Sequence, residues 1–182
     1  MSLPKLSQLA ALDWSSKNSS LQTAAKLDSR YRIALPRKSK DKFDAWVYVC
    51  PGFDNSLYLF TENDSTTWLA ALEQARAIAD DGQAALLDLM GYVVVFQLDE
   101  QKRLQLTDDF LRAWAGLEEG ASYLLTTGPD RLCLWSEEAW KSRVARATDW
   151  AGAGDDVGAA RLKQKVNAAL YSKQGPEAQA ND

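Results

Sequence analysis

The chain contains two copies of one short pattern, and this repetition constrains its fold more than any local preference does. Residues 27–35 read LDSRYRIAL, and residues 98–106, which begin 71 positions later, read LDEQKRLQL. Leucine, aspartate, arginine and two alternating aliphatic residues recur in register. One such match is weak evidence, so a second matched block is needed to establish a duplication.

A second block follows each copy in the same order. Residues 57–61 read LYLFT and residues 132–136 read LCLWS. A glycine precedes each block, and a glutamate and then a tryptophan follow it, at Gly52, Trp68, Gly128 and Trp140. Two matched blocks in one order indicate a duplicated architecture.

Apolar periodicity predicts the elements of each copy. Alternating or continuous apolar runs predict strands at 33–35, 46–49, 57–60, 92–96, 104–106, 123–125 and 132–135. Thr61 and Ser136 are predicted helix N-caps, because acidic residues suited to a first helical turn follow each. Each copy is therefore predicted to run strand, loop, strand, strand, helix.

Two helices are predicted to link the copies. The first continues from Trp68 through Ala79 until Asp81 and Gly82 stop it, and a second short helix covers 84–89. The predicted organisation is an N-terminal extension at 1–24, a first repeat at 25–80, a second repeat with the linking helix at 81–148, and a flexible tail at 149–182. Within that tail, we expect a surface helix at 156–172 and disorder in the last ten residues.

Composition removes several classes of function. The 182 residues include no histidine, which excludes Ser-His and Cys-His dyads and histidine-containing metal sites. Cys50 and Cys133 lie in apolar runs and are predicted to be buried, with a disulfide between them left open. The acidic pairs Asp80–Asp81 and Asp108–Asp109 are interpreted as solvated groups at turns. No catalytic residue, metal site or cofactor is predicted, and neither a signal sequence nor a membrane span is indicated.

The unit Asp-x-x-x-Arg, at Asp28 to Arg32 and Asp99 to Arg103, carries the most specific chemistry. An aspartate after a strand can accept hydrogen bonds from the amides of its own turn, so Asp28 and Asp99 are predicted to fix turns. The arginine offers a fork of donors that matches guanine O6 and N7 or a phosphate. The two side chains can also bind each other, and an ion pair that only pins the turn is an open alternative.

The two copies differ in charge. Residues 26–42 hold seven basic and two acidic residues, a charge of +5, although the whole chain carries -4. Residues 98–112 hold three basic and four acidic residues, a charge of -1. Any nucleic acid contact is therefore predicted to be local and to depend mainly on the first copy, because counterion release rewards local positive charge. A solvated basic loop is the alternative interpretation of residues 26–42.

Two copies of Leu-Asp-x-x-x-Arg-aliphatic, each followed by a strand and a helix, resemble the MraZ family of bacterial transcriptional regulators, which have tandem domains of the AbrB and SpoVT type. The resemblance covers about residues 25–147 and is closest at 27–36 and 128–140. It implies an α+β fold in which two pseudo-symmetric repeats form one compact domain with swapped-hairpin strands. It also implies closed ring oligomers and binding to promoter repeats of division and cell-wall genes.

The resemblance places DNA contact on the motif face. The predicted DNA-contacting side chains are Arg30, Arg32, Arg37, Lys38, Lys40, Lys102 and Arg103. The chain also departs from the family pattern, which usually has glycine before the motif arginine. Tyr31 and Lys102 occupy those positions here, so a reshaped turn is expected.

The predicted function is therefore a sequence-specific, double-stranded DNA-binding transcriptional regulator that acts as a ring-shaped homo-oligomer. No cofactor or membrane is involved in this function, and a cytoplasmic, nucleoid-associated location is predicted. The alternative is an oligomeric protein-protein assembly module that retains the scaffold with reduced or lost DNA binding. The acidic total and the missing motif glycines favour this alternative. An enzyme is the third and weakest interpretation.

Overall fold

A computed structural model describes residues 22–128 and 130–152. The first repeat contains β1 (Gln22–Lys26), β2 (Arg32–Ala34), α1 (Arg37–Lys40), β3 (Trp46–Pro51), β4 (Leu57–Phe60) and α2 (Glu62–Arg76). After α3 (Asp81–Met90), the second contains β5 (Val94–Gln97), β6 (Arg103–Gln105), α4 (Asp109–Ala115), β7 (Ser122–Thr127), β8 (Leu132–Ser136) and α5 (Glu137–Gly152). The helix predicted at 156–172 and the disorder predicted for the last ten residues lie outside the described residues.

The chain divides into two compact units, Met1–Arg143 and Val144–Asp182. All eight described strands belong to the first unit. In the second unit, the structure describes the last part of α5.

The two repeats exchange their first strands. Six strands form one sheet in the order β1-β7-β8-β4-β3-β5, and all of its pairings are antiparallel. The first strand of each repeat thus pairs with the third strand of the other, β1 with β7 and β5 with β3. This exchange confirms the predicted α+β fold with two pseudo-symmetric, strand-swapped repeats.

Equivalent positions of the two repeats face each other at two places. In the centre of the sheet, Tyr58 of β4 lies opposite Cys133 of β8. In a separate two-stranded sheet formed by β2 and β6, Ile33 lies opposite Leu104. Because each pair joins matching residues of the two sequence copies, a pseudo-twofold axis relates the repeats.

Alternation along the central strands produces two apolar clusters on opposite faces of the sheet. Val47 and Val49 of β3 pack with Ile33 and Leu104 in one cluster, which also includes residues of α4. Cys50 of β3, one position out of phase, joins the other cluster, together with Leu72 of α2 and Met90 of α3. The β2–β6 pair therefore covers one face of the sheet and the linking helices cover the other.

Side-chain caps fix where the long helices begin. The Asp64 amide donates to Thr61 Oγ1 over 3.3 Å at the start of α2. The Ala139 amide donates to Ser136 Oγ over the same distance at the start of α5. Both predicted N-caps are therefore confirmed.

The predicted extension of the first linking helix through Ala79 is wrong. Helix α2 ends at Arg76, and Asp80 caps α3 through the Gln83 amide at 2.8 Å, while Gln83 Oε1 accepts the Asp80 amide. Gly82 therefore lies within α3 instead of ending a helix. A reciprocal capping box fixes a helix start more strongly than one glycine opposes it, which the prediction did not weigh.

The carboxylate pairs are likewise not simply solvated. Asp108 caps α4, because its Oδ1 accepts the Leu111 amide at 2.8 Å.

The element order predicted for each repeat omitted β1, α1 and α4, and the strand predicted at 92–96 covers Val94–Gln97. Strand β1 reads QTAAK and has little intrinsic strand preference, so its pairing with β7 determines its conformation.

The two cysteines are free and do not form a disulfide. Cys50 is buried in β3 and Cys133 is half-buried in β8, with Tyr58 of β4 paired between them. One intervening strand places the cysteines too far apart for a bond. Burial raises the pKa of the Cys50 thiol to about 12, so this thiol is protonated and unreactive at neutral pH.

A glycine before β4 allows two chain segments to approach closely. A Cβ atom added at Gly52 would lie 2.5 Å from both Ser56 Oγ and a ring carbon of Tyr58, which is buried. We expect Gly52→Ala to lower the free energy of unfolding by about 1–3 kcal/mol, measured by urea denaturation. Gly82→Ala is the matched control, because its Cβ would meet only Asp80 Oδ1, at 3.6 Å, within a helix. We expect that control to be neutral or up to about 1 kcal/mol more stable. Equal stability of the two variants would contradict the close packing at Gly52.

Candidate nucleic-acid interface

Both motif turns have the same hydrogen-bonded geometry. Asp28 Oδ1 accepts the amides of Arg30 at 3.0 Å and Arg32 at 3.1 Å. Asp99 Oδ1 accepts the amides of Gln101 at 2.9 Å and Arg103 at 2.8 Å. Such contacts hold a compact loop between two strands.

Each motif aspartate also binds its own arginine. The Arg32 Nε atom donates to Asp28 Oδ2 at 2.7 Å, and Arg32 Nη2 lies 2.6 Å from the same oxygen. Arg103 Nε donates to Asp99 Oδ2 at 2.7 Å. The arginine side chains are still 31% and 30% exposed, respectively. The pairs therefore orient the guanidinium groups at the surface without burying them.

The pairing of β2 with β6 brings the two motif arginines onto one small ribbon. Ile33 and Leu104 are fully buried and lie opposite each other. Because strand side chains alternate between faces, Arg32 and Arg103 lie on the outward face. Their cross-strand partners there are Gln105 and Ala34. We call this face, made by Arg32, Ala34, Arg103 and Gln105, the ribbon face.

Ala34 and Gln105 were not among the residues selected from the sequence. Each of them follows a buried aliphatic residue of its strand, Ile33 or Leu104. Strand periodicity therefore predicts that both side chains face outward. Their placement opposite the arginines depends on the β2–β6 pairing, which periodicity within one copy does not predict.

The other predicted DNA-contacting residues form an exposed group and a half-buried group. Arg30 in the first turn and Arg37 and Lys38 of α1 are exposed. Lys40 is half-buried, and its Nζ donates to the Gln101 carbonyl oxygen at 3.3 Å. The half-buried Lys102 directs its Nζ to backbone carbonyl oxygens of residues 43 and 44.

The two residues that stand where the family usually has glycine adopt a backbone conformation that favours glycine, and the reshaped turn expected from the sequence stays a prediction. Tyr31 has a φ of 54° and Lys102 a φ of 57°, so both adopt the left-handed conformation that suits glycine. Both copies of the motif therefore hold a non-glycine residue in a strained backbone conformation at the same turn position.

Hydrogen bonds hold both motif aspartates in their ionised form. The guanidinium of Arg32, followed by its amide, lowers the pKa of Asp28 from 3.8 to about 2. For Asp99, partial desolvation alone would raise the pKa, but hydrogen bonds from the amide and guanidinium of Arg103 together outweigh it and lower the pKa. In both turns the native state thus binds the carboxylate more strongly than the carboxylic acid.

These lowered pKa values predict an acid-sensitive contribution to stability. The contribution is fully present above pH 3.8 and is lost as the pH falls through the folded pKa of Asp28, about 2. The double variant Asp28→Asn/Asp99→Asn keeps side-chain acceptors but removes both charges. We expect it to be less stable than the original chain at neutral pH, and we expect this difference in urea midpoint to shrink between about pH 5 and about pH 2. A difference that is constant across this range would contradict the account.

Within residues 22–128 and 130–152, no group of three or more Cys, Asp or Glu side chains is placed to hold a metal ion. None of the helices in these ranges is long and apolar enough to cross a membrane.

Comparison with known proteins finds several relatives that bear one name. No family model matches it. A transcriptional regulator MraZ from Saccharophagus degradans is 30% identical over 142 residues, which cover 74% of this chain and 90% of that protein. Proteins of the same name from Leifsonia xyli and Mesoplasma florum are each 24% identical, over 68% and 63% of this chain and 84% and 77% of their own lengths, respectively. The chain therefore belongs to the MraZ family of transcriptional regulators, as a divergent member.

Proposed function

We propose that this protein is a sequence-specific DNA-binding regulator that reads double-stranded DNA with the ribbon face. The observation that carries the proposal is the antiparallel β2–β6 pair, which presents Arg32 and Arg103 outward on a shared surface. A two-stranded β-ribbon fits the major groove, where each base pair presents a distinct pattern of donors and acceptors.

The orientation of Arg32 supports base recognition over a purely structural ion pair. Asp28 engages the Nε and Nη2 atoms along one edge of the guanidinium. This leaves the Nη1/Nη2 end of the fork to address an acceptor pair such as guanine O6 and N7. An aspartate that holds the edge reduces the side-chain freedom that DNA binding would otherwise remove.

Charge around the pseudo-twofold axis supports an unequal use of the two repeats. The exposed Arg30, Arg37 and Lys38 lie in the basic segment that carries +5. After the second motif, Asp108 and Asp109 occupy the start of α4. We therefore propose that the first repeat makes most of the phosphate contacts and that Arg103 contributes mainly within the ribbon face.

Assembly completes the proposal. We propose that the chain forms a homo-oligomer, with a ring as its arrangement, which places many ribbon faces on promoter repeats of division and cell-wall genes in the cytoplasmic nucleoid. The similar proteins are named transcriptional regulators, which supports a role in transcription. Several ribbon faces on one oligomer would bind repeated DNA sites more tightly than a single face of modest affinity.

The proposal is tested by light scattering during size-exclusion chromatography, followed by binding to the region upstream of the protein's own gene. We expect a mass well above that of a dimer and tighter binding to that region than to a shuffled duplex of the same length. A concentration-independent mass near 20.2 kDa would contradict the assembly, and equal affinity for both duplexes would contradict the specificity.

A protein-protein assembly module is the second candidate, and one exposed apolar patch favours it. Leu89, Tyr92 and Phe110 are 42%, 43% and 38% exposed and line one pocket, in which the rings of Tyr92 and Phe110 are in contact. Val95 of β5, an edge strand of the sheet, is 47% exposed. A stable oligomer that binds no duplex even at low salt would decide for this candidate.

A further inference from the structure

The two residues that replace glycine in the motif turns reach across to the other repeat. Tyr31 and Lys102 occupy the same turn position in the two sequence copies, and both have positive φ angles, of 54° and 57°. A non-glycine residue is strained there, so its side chain must contribute something that glycine cannot.

Lys102 connects the second motif turn to the loop between α1 and β3. Its Nζ donates to the Phe43 carbonyl oxygen at 2.9 Å and also to the Asp44 carbonyl oxygen. Lys40, at the end of α1, returns a hydrogen bond to the Gln101 carbonyl oxygen at 3.3 Å. The second turn is thus attached, through the adjacent residues Gln101 and Lys102, to the end of α1 and to the loop that follows it.

Tyr31 makes the corresponding connection in the opposite direction. The Arg112 guanidinium of α4 lies over the Tyr31 ring, with its carbon 4.0 Å from the ring centre. Arg112 Nη1 also donates to the carbonyl oxygens of Leu106 and Thr107, at 3.0 and 2.9 Å. The Leu106 amide donates to the Tyr31 carbonyl oxygen at 3.1 Å. The first turn is therefore attached to the segment between β6 and α4.

We propose that Tyr31 and Lys102 are reciprocal positioning residues that fix the two turns, and the basic segment around α1, relative to the ribbon face. Each attaches its own turn to the segment that follows the ribbon strand of the other repeat. Lys102 then affects DNA binding indirectly, because its ammonium group is directed to backbone carbonyl oxygens. This role replaces the direct DNA contact predicted from the sequence. We call these reciprocal contacts of Tyr31 and Lys102 the clamp. The consequence for DNA binding rests on the proposed function, whereas the clamp itself does not.

The clamp is tested first without DNA, by amide hydrogen exchange of the full chain. Lys102→Gly suits the left-handed backbone and is expected to fold, while Lys102→Met keeps the alkyl chain and removes only the ammonium group. We expect both variants to speed exchange of amides in residues 41–45 by roughly fivefold or more. Lys38→Met is the matched control, an exposed lysine on the same segment, and we expect it to leave these rates unchanged. Lys102→Arg retains a donor and should restore much of the protection.

The same variants then separate positioning from direct contact in DNA binding. We expect Lys102→Met to weaken binding severalfold without changing the salt dependence, and Lys38→Met to reduce the slope of log affinity against log salt by about one. Unchanged exchange at residues 41–45 in both Lys102 variants would overturn the clamp. A loss of about one unit of slope in Lys102→Met would show a phosphate contact instead. Absence of DNA binding by the original chain would reject the proposed function, while the exchange result would still decide the clamp.

Discussion

Arg32→Ala is expected to weaken binding to the specific duplex by about 1–3 kcal/mol, the usual contribution of an arginine that reads a base edge. Arg103→Ala is expected to have a smaller effect. The two arginines occupy equivalent positions on the ribbon face, but only Arg32 lies within the segment that carries +5. Fluorescence anisotropy with the upstream duplex and a shuffled duplex measures both affinity and specificity.

Two controls separate this effect from others. Arg32→Ala also removes the ion pair with Asp28, so the melting temperature and the oligomeric mass must be measured for the variant. Lys38→Ala, at an exposed lysine of α1, is expected to weaken binding to all sequences alike and to reduce the salt slope by about one unit. The charge asymmetry would be rejected if Arg32→Ala kept full affinity and Arg103→Ala abolished it. Equal losses would mean that the oligomer presents both motifs as one surface.

Leu104→Ala is expected to cause the largest loss of stability, about 2–5 kcal/mol in the free energy of unfolding. Leu104 has no exposed surface, lies opposite Ile33, and belongs to the apolar cluster that joins the ribbon to the sheet. The substitution removes buried methyl groups from a three-residue strand in which Leu104 is the one buried residue.

Urea denaturation at several protein concentrations measures this effect, because assembly and folding are linked in an oligomer. Gln105→Ala is the matched control: it is adjacent in the same strand but faces outward, and we expect a change within about 0.5 kcal/mol. Equal stability of Leu104→Ala and Gln105→Ala would contradict the burial of the inner face of the ribbon.

Sequence repetition predicted much of the fold because each repeat has strong local signals. Alternating apolar residues marked β2 and β6, and Thr61 and Ser136 marked helix starts that the structure confirms. The strand exchange was predicted from the family resemblance, because local sequence patterns do not indicate which strands pair. The spacing of Asp28 and Arg32 also allowed the turn hydrogen bonds and the ion pair that the structure contains.

What the sequence did not predict depends on contacts between distant segments. Strand β1 is held by β7 and not by its own composition. The break between α2 and α3 was predicted at Asp81 and Gly82, but its position, after Arg76 and before the cap at Asp80, was not. The left-handed turn residues Tyr31 and Lys102 contact Arg112 and the Phe43 carbonyl oxygen, partners that no local pattern connects to them.

The central claim is that the ribbon face contacts the bases of bound DNA, and site-specific photo-crosslinking tests it most directly. A benzophenone amino acid is placed at Gln105, which lies on the ribbon face opposite Arg32, or at the exposed Gln74 of α2 as the control. We predict crosslinks to the upstream duplex from position 105 and few or none from position 74. Crosslinks from position 74 but not from position 105, at DNA concentrations where the protein is bound, would contradict the claim.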